Sequence, residues 1–225
     1  MEKINRPERQ EVYKMIQIRN EEERDFKRVE EITRAAFWNL YVPGCDEHYL
    51  THIMRSHEDF VRELDFVIEI DGQVIGSIMY TKAKLVDELG KEKDILTFGP
   101  VCISPEYQRK GYGKKLIEHS FDKAAALGYD VIVIFGDPGN YVSCGFQSCK
   151  KHNVCTAEGT YPAAMLVKEL QTRALDGRKW IYHQSSAYEI DLEEAQRFDA
   201  GLEKWEKRHQ ASQEAFYIHS HAILQ

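Results

Sequence analysis

No stretch of this 225-residue chain approaches the ~20 consecutive apolar residues of a membrane-crossing helix, so a helical span is excluded. The first ten residues are charged and lack the apolar centre of a signal peptide, and the chain reads as cytoplasmic. Cysteine is sparse. The five (Cys45, Cys102, Cys144, Cys149, Cys155) form an odd number without a Cys-x-x-Cys pair, which disfavours a disulfide framework and a zinc site. They read as reduced thiols. Positive charge is in deficit: 30 Lys and Arg stand against 37 Asp and Glu, a net charge of -7. A whole-surface polyanion binder should be basic, so neither nucleic acid nor membrane is an expected partner. Internal repeats and low-complexity tracts are absent.

What is present is enough for a packed core. Hydrophobic residues make up 43% and charged residues 30%, a globular balance. The length suits one domain or one domain with an appendage. Alternating Ile16 and Ile18 mark a first strand over 15–19. Phe26, Val29, Ile32, Ala36 and Phe37 recur at helical spacing until Pro43-Gly44 breaks the pattern. A second helix is expected over 46–60, with Tyr49, Leu50, Ile53 and Met54 on one face. Strands over 65–70 and 74–85 flank Asp71-Gly72, a strong hairpin signal. A charged loop, 87–94, precedes a strand over 95–103. A helix over 111–127 follows, with Leu116, Ile117, Phe121, Ala124 and Leu127 in one stripe and Gly128 at its end. Val131 to Ile134 is a β-branched run of the kind buried on both faces of a sheet. Another apolar strand covers 163–167. Beyond about 171 a short strand (179–182) and a charged helix (192–209) are expected. The organisation is an N-terminal tail (1–14), a main domain (15–170) and a C-terminal appendage (171–225) packed on it.

Chemistry concentrates in residues 101–115, Val-Cys-Ile-Ser-Pro-Glu-Tyr-Gln-Arg-Lys-Gly-Tyr-Gly-Lys-Lys. A strand, a tight polar loop and a helix start follow one another. Gly111 and Gly113 let backbone approach a ligand closely. A helix N-terminus offers unpaired N–H groups and a positive dipole end, which suit phosphate. Arg109, Lys110, Lys114 and Lys115 against Glu106 leave a local balance of +3 in an acidic chain. A P-loop is excluded because Gln108 stands at its first glycine and Lys115 at its Ser or Thr. A dinucleotide fingerprint is excluded because Leu116 stands at its third glycine.

The remaining pattern, Gln108-Arg109-Lys110-Gly111-Tyr112-Gly113, closely resembles the acyl-CoA-binding motif of the GCN5-related N-acetyltransferase superfamily. The order of elements is similar to that family, and Tyr141-x-x-x-Gly145-Phe146 resembles its Y-x-x-x-G-F segment. Gly136-Asp137-Pro138 resembles the turn of a bacterial subgroup. The resemblance covers roughly 15–168. It implies an α/β (α+β) fold with a mixed, mostly antiparallel central sheet flanked by helices. It also implies acetyl-CoA as cosubstrate, no metal, and an acceptor that is the primary amine of a small molecule or peptide, attacked directly in a ternary complex. The enzyme would be a monomer or homodimer.

Residue by residue, the resemblance implies that the strand carrying Val101, Cys102 and Ile103 splays from its neighbour and pairs with the pantetheine arm. A backbone N–H near Val101 or Cys102 would polarise the thioester. The N–H groups of Gln108, Arg109, Lys110, Gly111, Tyr112 and Gly113 would wrap the pyrophosphate, with Lys114 and Asn140 beside the cofactor. Tyr141 would protonate the leaving thiolate. Cys102 and Cys144 read as packing residues, and Asn140 also reads as a turn residue. One departure stands out. Family members often carry a Glu on the strand before the loop, where Thr97, Phe98, Gly99 and Pro100 stand here. The base is therefore open among Glu47, His48, a water chain, or none if the amine arrives neutral. The same gap motivates a second reading, a non-catalytic acyl-CoA sensor. The acceptor side, expected to draw on the first two helices and the 87–94 loop, offers Trp38, Tyr41, Glu47, His48 and His52, a mix suited to a cationic amine.

Overall fold

A computed structural model describes residues 15–225; the expected N-terminal tail, 1–14, with its charged start, lies outside the described residues. Alternating apolar residues form β1 (Ile16–Asn20) on the sheet edge, followed by α1 (Phe26–Phe37), which buries Val29, Ile32 and Thr33. Helix α2 (Glu47–Met54) is shorter than the expected 46–60. Its chain leaves at Met54 because residues 57–60 are drawn to the sheet: Lys82 N–H donates to Asp59 O at 2.8 Å and Phe60 bridges Thr81.

Strands β2 (Phe66–Ile70) and β3 (Gln73–Asp87) meet at Asp71-Gly72, both at positive φ (51° and 80°), the geometry that the two-residue hairpin requires. β4 (Glu92–Ile103) pairs with β3 out to Val86 and Glu92. The expected 87–94 loop is thus half strand, and the turn is only 88–91. Its charges pair across the ladder, with Lys84 Nζ 2.7 Å from Glu92, and Asp87 Oδ1 accepts from the N–H groups of Leu89 and Lys91 to close the turn. Then come α3 (Tyr112–Ala126), β5 (Val131–Phe135), a single turn α4 (Pro138–Tyr141), and the short strands β6 (Gln147–Ser148) and β7 (Val154–Cys155). β8 (Met165–Glu169) and β9 (Trp180–His183) complete the sheet.

The sheet runs β1-β2-β3-β4-β5-β8-β6, with β9 alongside β3 and β7. All pairings are antiparallel except β4–β5 and β7–β9. The main core lies between the sheet and α3, where Leu116, Ile117, Phe121 and Ala124 meet Ile68, Ile78, Tyr80, Phe98, Ile132 and Ile134. On the opposite face, Val29 and Ile32 of α1 cover Val67, Val74 and Cys102. A third cluster joins Trp180, Tyr182 and Leu175 to Leu85, Val131 and Val133, so the chain beyond 170 shares the same sheet and core.

The expected helix over 192–209 is two elements. α5 (Leu192–Ala200) is capped by Asp191, which accepts from the N–H groups of Glu193 and Glu194, and ends at Gly201. Residues 203–210 are neither helix nor strand, and their backbone is held by the α1–α2 loop: Glu206 O accepts from Trp38 Nε1 and Asn39 Nδ2. A further helix, α6 (Ala211–His221), ends beside residues 161–163. Among the described residues no helix is long and apolar enough to cross a membrane. The five cysteines are free and buried.

Candidate active site

Two parallel strands create the site by parting. β4 and β5 share one ladder position, Leu96 opposite Ile132, and beyond it they separate towards their C-terminal ends. The edge of β4 that faces β5 is therefore without a strand partner over Thr97 to Ile103, and backbone groups there are free for another chain-like ligand. Between the pairs Ile78–Val101 and Tyr80–Phe98, two residues of β4, Gly99 and Pro100, oppose one of β3. This bulge re-aims the strand at the mouth of the opening.

The three β4 residues singled out in the sequence divide their labour. Cys102 points away from the opening: its Sγ lies 3.4 Å from both Thr33 Oγ1 and Ser77 Oγ, and burial pushes its thiol pKa up. It is a packing residue whose backbone alone faces β5. Val101 packs on the main core. Ile103 braces the loop, since a Cβ on Gly113 would rest 3.5 Å from its Cγ1, and its carbonyl accepts from Gln108 Nε2 at 2.9 Å.

From Gln108 the chain turns sharply into α3. Arg109 (φ 57°) and Gly111 (φ 85°) are both left-handed, an arrangement that turns successive N–H groups into one concavity. No side chain among the described residues caps α3, and a Cβ built on Gly111 would meet nothing within 4 Å. The first-turn N–H groups and the positive helix end thus open onto empty space. Arg109 and Lys115 are exposed. Lys110 Nζ folds back on Glu106 O at 2.6 Å, and Lys114 lies 3.6 Å from Glu118. Tyr112 stands edge-on to Tyr107 at 6.3 Å.

Across the opening, Asp137 accepts from Gly139 N–H and caps the turn of α4. Asn140 is exposed, and its N–H donates to Asp137 O, the turn role read from the sequence. Tyr141 sits with its ring against Phe98 (5.8 Å) and Phe146 (6.0 Å). Gly136 must be glycine here, because a Cβ would lie 2.5 Å from Tyr141 Cε2. Burial holds the Tyr141 phenol above the ordinary tyrosine range, so it stays protonated at neutral pH. Cys144 is buried in the main core, as read.

The two carboxylate and imidazole candidates for a base part company. Burial pushes Glu47 up to about 7. Burial, with the Glu47 and Asp137 carboxylates, also pushes the Tyr41 phenol up. His48 has different neighbours. It is buried between Cys45 Sγ (3.5 Å) and Asp199 Oδ1 (3.3 Å), and burial lowers its pKa. His52 is tied to Glu30 at 2.9 Å. Trp38 packs edge-on to Trp205 with Arg34 against both rings. The turn of the β3–β4 hairpin does not reach the site either; it lies about 20 Å down β4 from Gly99 at ~3.3 Å per residue.

Sequence reasoning missed three residues. Tyr188, from the segment after β9, donates its hydroxyl to Gly99 O at 3.1 Å and so touches the bulge. Asn39, left-handed at φ 60°, accepts at Oδ1 from Gly44 and Arg208 N–H and donates from Nδ2 to Glu206 O. Phe216 of α6 stacks on Tyr41 at 4.4 Å. All three depend on contacts more than 80 residues apart or on a turn conformation, and no local pattern marks them; only an Asn shortly before Pro-Gly hinted at a turn.

A family model described as "Acetyltransferase (GNAT) family" matches residues 34–148. YhbS of Escherichia coli (strain K12), an uncharacterized N-acetyltransferase, is 31% identical over 133 residues, 58% of this chain and 76% of that protein. The crystal structure of YhbS in complex with CoA superposes with a TM-score of 0.68 at 22% identity, covering 80% of this chain and 95% of that one. A GNAT family acetyltransferase from Brucella melitensis, in complex with acetyl-CoA, gives a TM-score of 0.61 at 23% identity over 77% of this chain and 98% of its own. These solved structures show a shared fold. With half of the chain matched by the family model and three quarters of YhbS covered, the chain belongs to the GNAT family of N-acetyltransferases.

Proposed function

We propose that this protein binds acetyl-CoA where β4 and β5 part and transfers the acetyl group to the primary amine of a small molecule or peptide, in a ternary complex. One observation carries the reading: the uncapped start of α3, with Gly111 at φ 85° over open space, lies at the mouth of the splay. That geometry suits a pyrophosphate at the helix end and an extended arm along β4. Backbone N–H groups of Gln108, Arg109, Lys110, Gly111, Tyr112 and Gly113 would hold the pyrophosphate, with Lys114 and Asn140 flanking. Val101, Cys102 and Ile103 would pair with the arm through their backbones. The likeness to relatives solved with CoA and acetyl-CoA supports this assignment.

Acetyl-CoA supplies an activated thioester. The residues of this chain position it and move protons. As the amine nitrogen bonds to the acetyl carbon, it sheds a proton, which Glu47 accepts directly or through water. As the carbon–sulfur bond breaks, Tyr141 donates to the sulfur and regains a proton from solvent. In water a phenol (pKa ~10) is a weaker acid than a thiol (~8.5), so the transfer is slightly uphill. Burial raises the Tyr141 phenol further, so the donation would be driven by the negative charge that builds on sulfur as the bond breaks. Glu47 would also answer the gap on β4: a buried carboxylate that acts on Tyr41 and is held near neutral pH can stand in for the missing strand Glu, which favours an enzyme over a sensor. Residues 15–170 would carry out the transfer, and 171–225 would complete the acceptor side.

A thiol-release assay across an amine panel, with product masses, tests the reading. Acetylated amine and free CoA are expected in equal amounts. Saturable acetyl-CoA binding without turnover on any amine would favour the sensor.

A further inference from the structure

We propose that the C-terminal helix α6 is the acceptor-selecting wall of the transferase site, with Phe216 and His219 facing the acceptor and cationic alkyl amines as the selected class. The proposal rests on the acetyl-transfer reading above and deepens it.

Helix α6 hangs between two anchors, one two residues before Tyr41 and one beside the strand segment that seats Tyr141. At its N-terminal end, Gln213 Nε2 donates to Asn39 O at 3.0 Å, and the preceding chain is pinned through Glu206 O and Arg208 N–H to the Asn39 side chain. At its C-terminal end, Ala163 N–H donates to Ala222 O and Leu224 N–H to Tyr161 O, both at 2.8 Å. Ala163 adjoins Ala164, whose carbonyl accepts from Gly136 N–H, and Gly136 lies against the Tyr141 ring. One anchor thus adjoins Tyr41 and the other adjoins the seat of Tyr141, so the helix crosses the rim between them.

Ser212, Phe216 and His219 occupy positions i, i+4 and i+7, one face of a helix. Phe216 from this face stacks on Tyr41 at 4.4 Å with 29° between the rings. Ser212 Oγ and His219 Nε2 are buried yet make no hydrogen bond among the described residues. Buried polar atoms are normally partnered, and two unpartnered ones on the helix face that also carries Phe216 mark a surface that meets a polar ligand. Charge selects its sign. Glu47 opens α2 six residues after Tyr41 and Asp137 caps the turn that carries Tyr141; aromatic faces beside carboxylates attract cations and repel acids.

The test uses full-length protein and four amines: 1,5-diaminopentane, pentylamine, phenethylamine and glutamate. The diamine is expected to have the highest kcat/KM and glutamate the lowest. Phe216→Ala should raise KM for the diamine about tenfold, leave KM for acetyl-CoA within twofold, and melt within a few degrees of wild type; Phe216→Tyr should restore KM. His219→Ala should raise the same KM, with partial rescue by His219→Gln. A diamine KM within twofold of wild type in both alanine variants overturns the wall. Glutamate as the best acceptor overturns the cationic class. If wild type binds acetyl-CoA but acetylates none of the four, the amine class fails alone, and the wall is read from acetyl-CoA hydrolysis without amine. Phe216→Ala should then hydrolyse at least threefold faster, because the wall excludes water, and an unchanged rate overturns it. If wild type does not bind acetyl-CoA at all, the acetyl-transfer reading falls and takes the wall with it.

Discussion

Replacing Glu47 by Gln should make the protein more stable and less active, and both effects follow from one charge. Burial lifts the carboxyl from 4.5 to about 7, although part of the residue still reaches solvent. At ~1.36 kcal/mol per pH unit, the gap of about 2.5 amounts to about 3 kcal/mol, and solvent screening reduces it to about 2. The sign is that of an acid raised on folding. Below pH 4.5 both folded and unfolded forms are protonated and nothing is lost. As pH rises from 4.5 through 7 the unfolded chain ionises first, stability falls, and above 7 the full cost is present. Gln keeps the shape and can still accept from Asp46 N–H, which Glu47 Oε2 does at 3.2 Å. At pH 8 the variant should therefore melt about 4–8 °C above wild type, at roughly 2–4 °C per kcal/mol for a chain of this size, and at pH 4 the two should coincide. Activity should move the other way. Loss of a general base costs about 10²–10⁴ in kcat, and wild-type kcat/KM should fall tenfold per pH unit below 7. Scanning calorimetry at both pH values and a thiol-release assay measure the pair of effects. Equal melting at pH 8 together with turnover within threefold of wild type would refute both the buried charge and its role.

Three further outcomes follow. Tyr141→Phe should lower kcat at least tenfold while acetyl-CoA affinity stays within twofold, as titration calorimetry and steady-state kinetics would register; unchanged kcat removes Tyr141 from the proton path. Asn39→Ala removes the clamp on residues 206 and 208, at about 1–3 kcal/mol for the bonds left unmade. Its Trp38–Trp205 contact should loosen first, seen as a fluorescence change below the main melting transition. Gly113→Ala should cost little, since its Cβ would rest at 3.5 Å from Ile103, whereas Gly111→Ala must force φ 85° on an L side chain and should cost about 1–2 kcal/mol; equal melting of the two variants would contradict the loop geometry.

Much of this architecture is legible in the residue order because its causes are local. Alternation in 65–70, the Asp71-Gly72 turn, the β-branched run 131–134 and the stripe from Leu116 to Ala124 each depend on neighbours within one or two turns of chain. The sharp turn into α3 is legible for the same reason, since Gly111 and the bare helix start are adjacent in sequence. What escapes is set by distance. That His48 lies buried 3.3 Å from a carboxylate depends on Asp199, more than 150 residues later. The charged residues 203–207 look helical alone, yet Trp38 and Asn39 capture their backbone. Glu92 and Asp94 look like loop residues until the β3–β4 ladder pairs them with Val86 and Lys84.

The proposed seat of acetyl-CoA at the start of α3 is the point on which everything else depends. Titration calorimetry of acetyl-CoA into wild type and Gly111→Asp tests it directly, because a carboxylate at that position would project into the open space before the helix end. Saturable binding by wild type and none by a folded Gly111→Asp is the expected result. Equal affinity for the two would contradict the cradle, and with it the assignment of the splay between β4 and β5 as the active site.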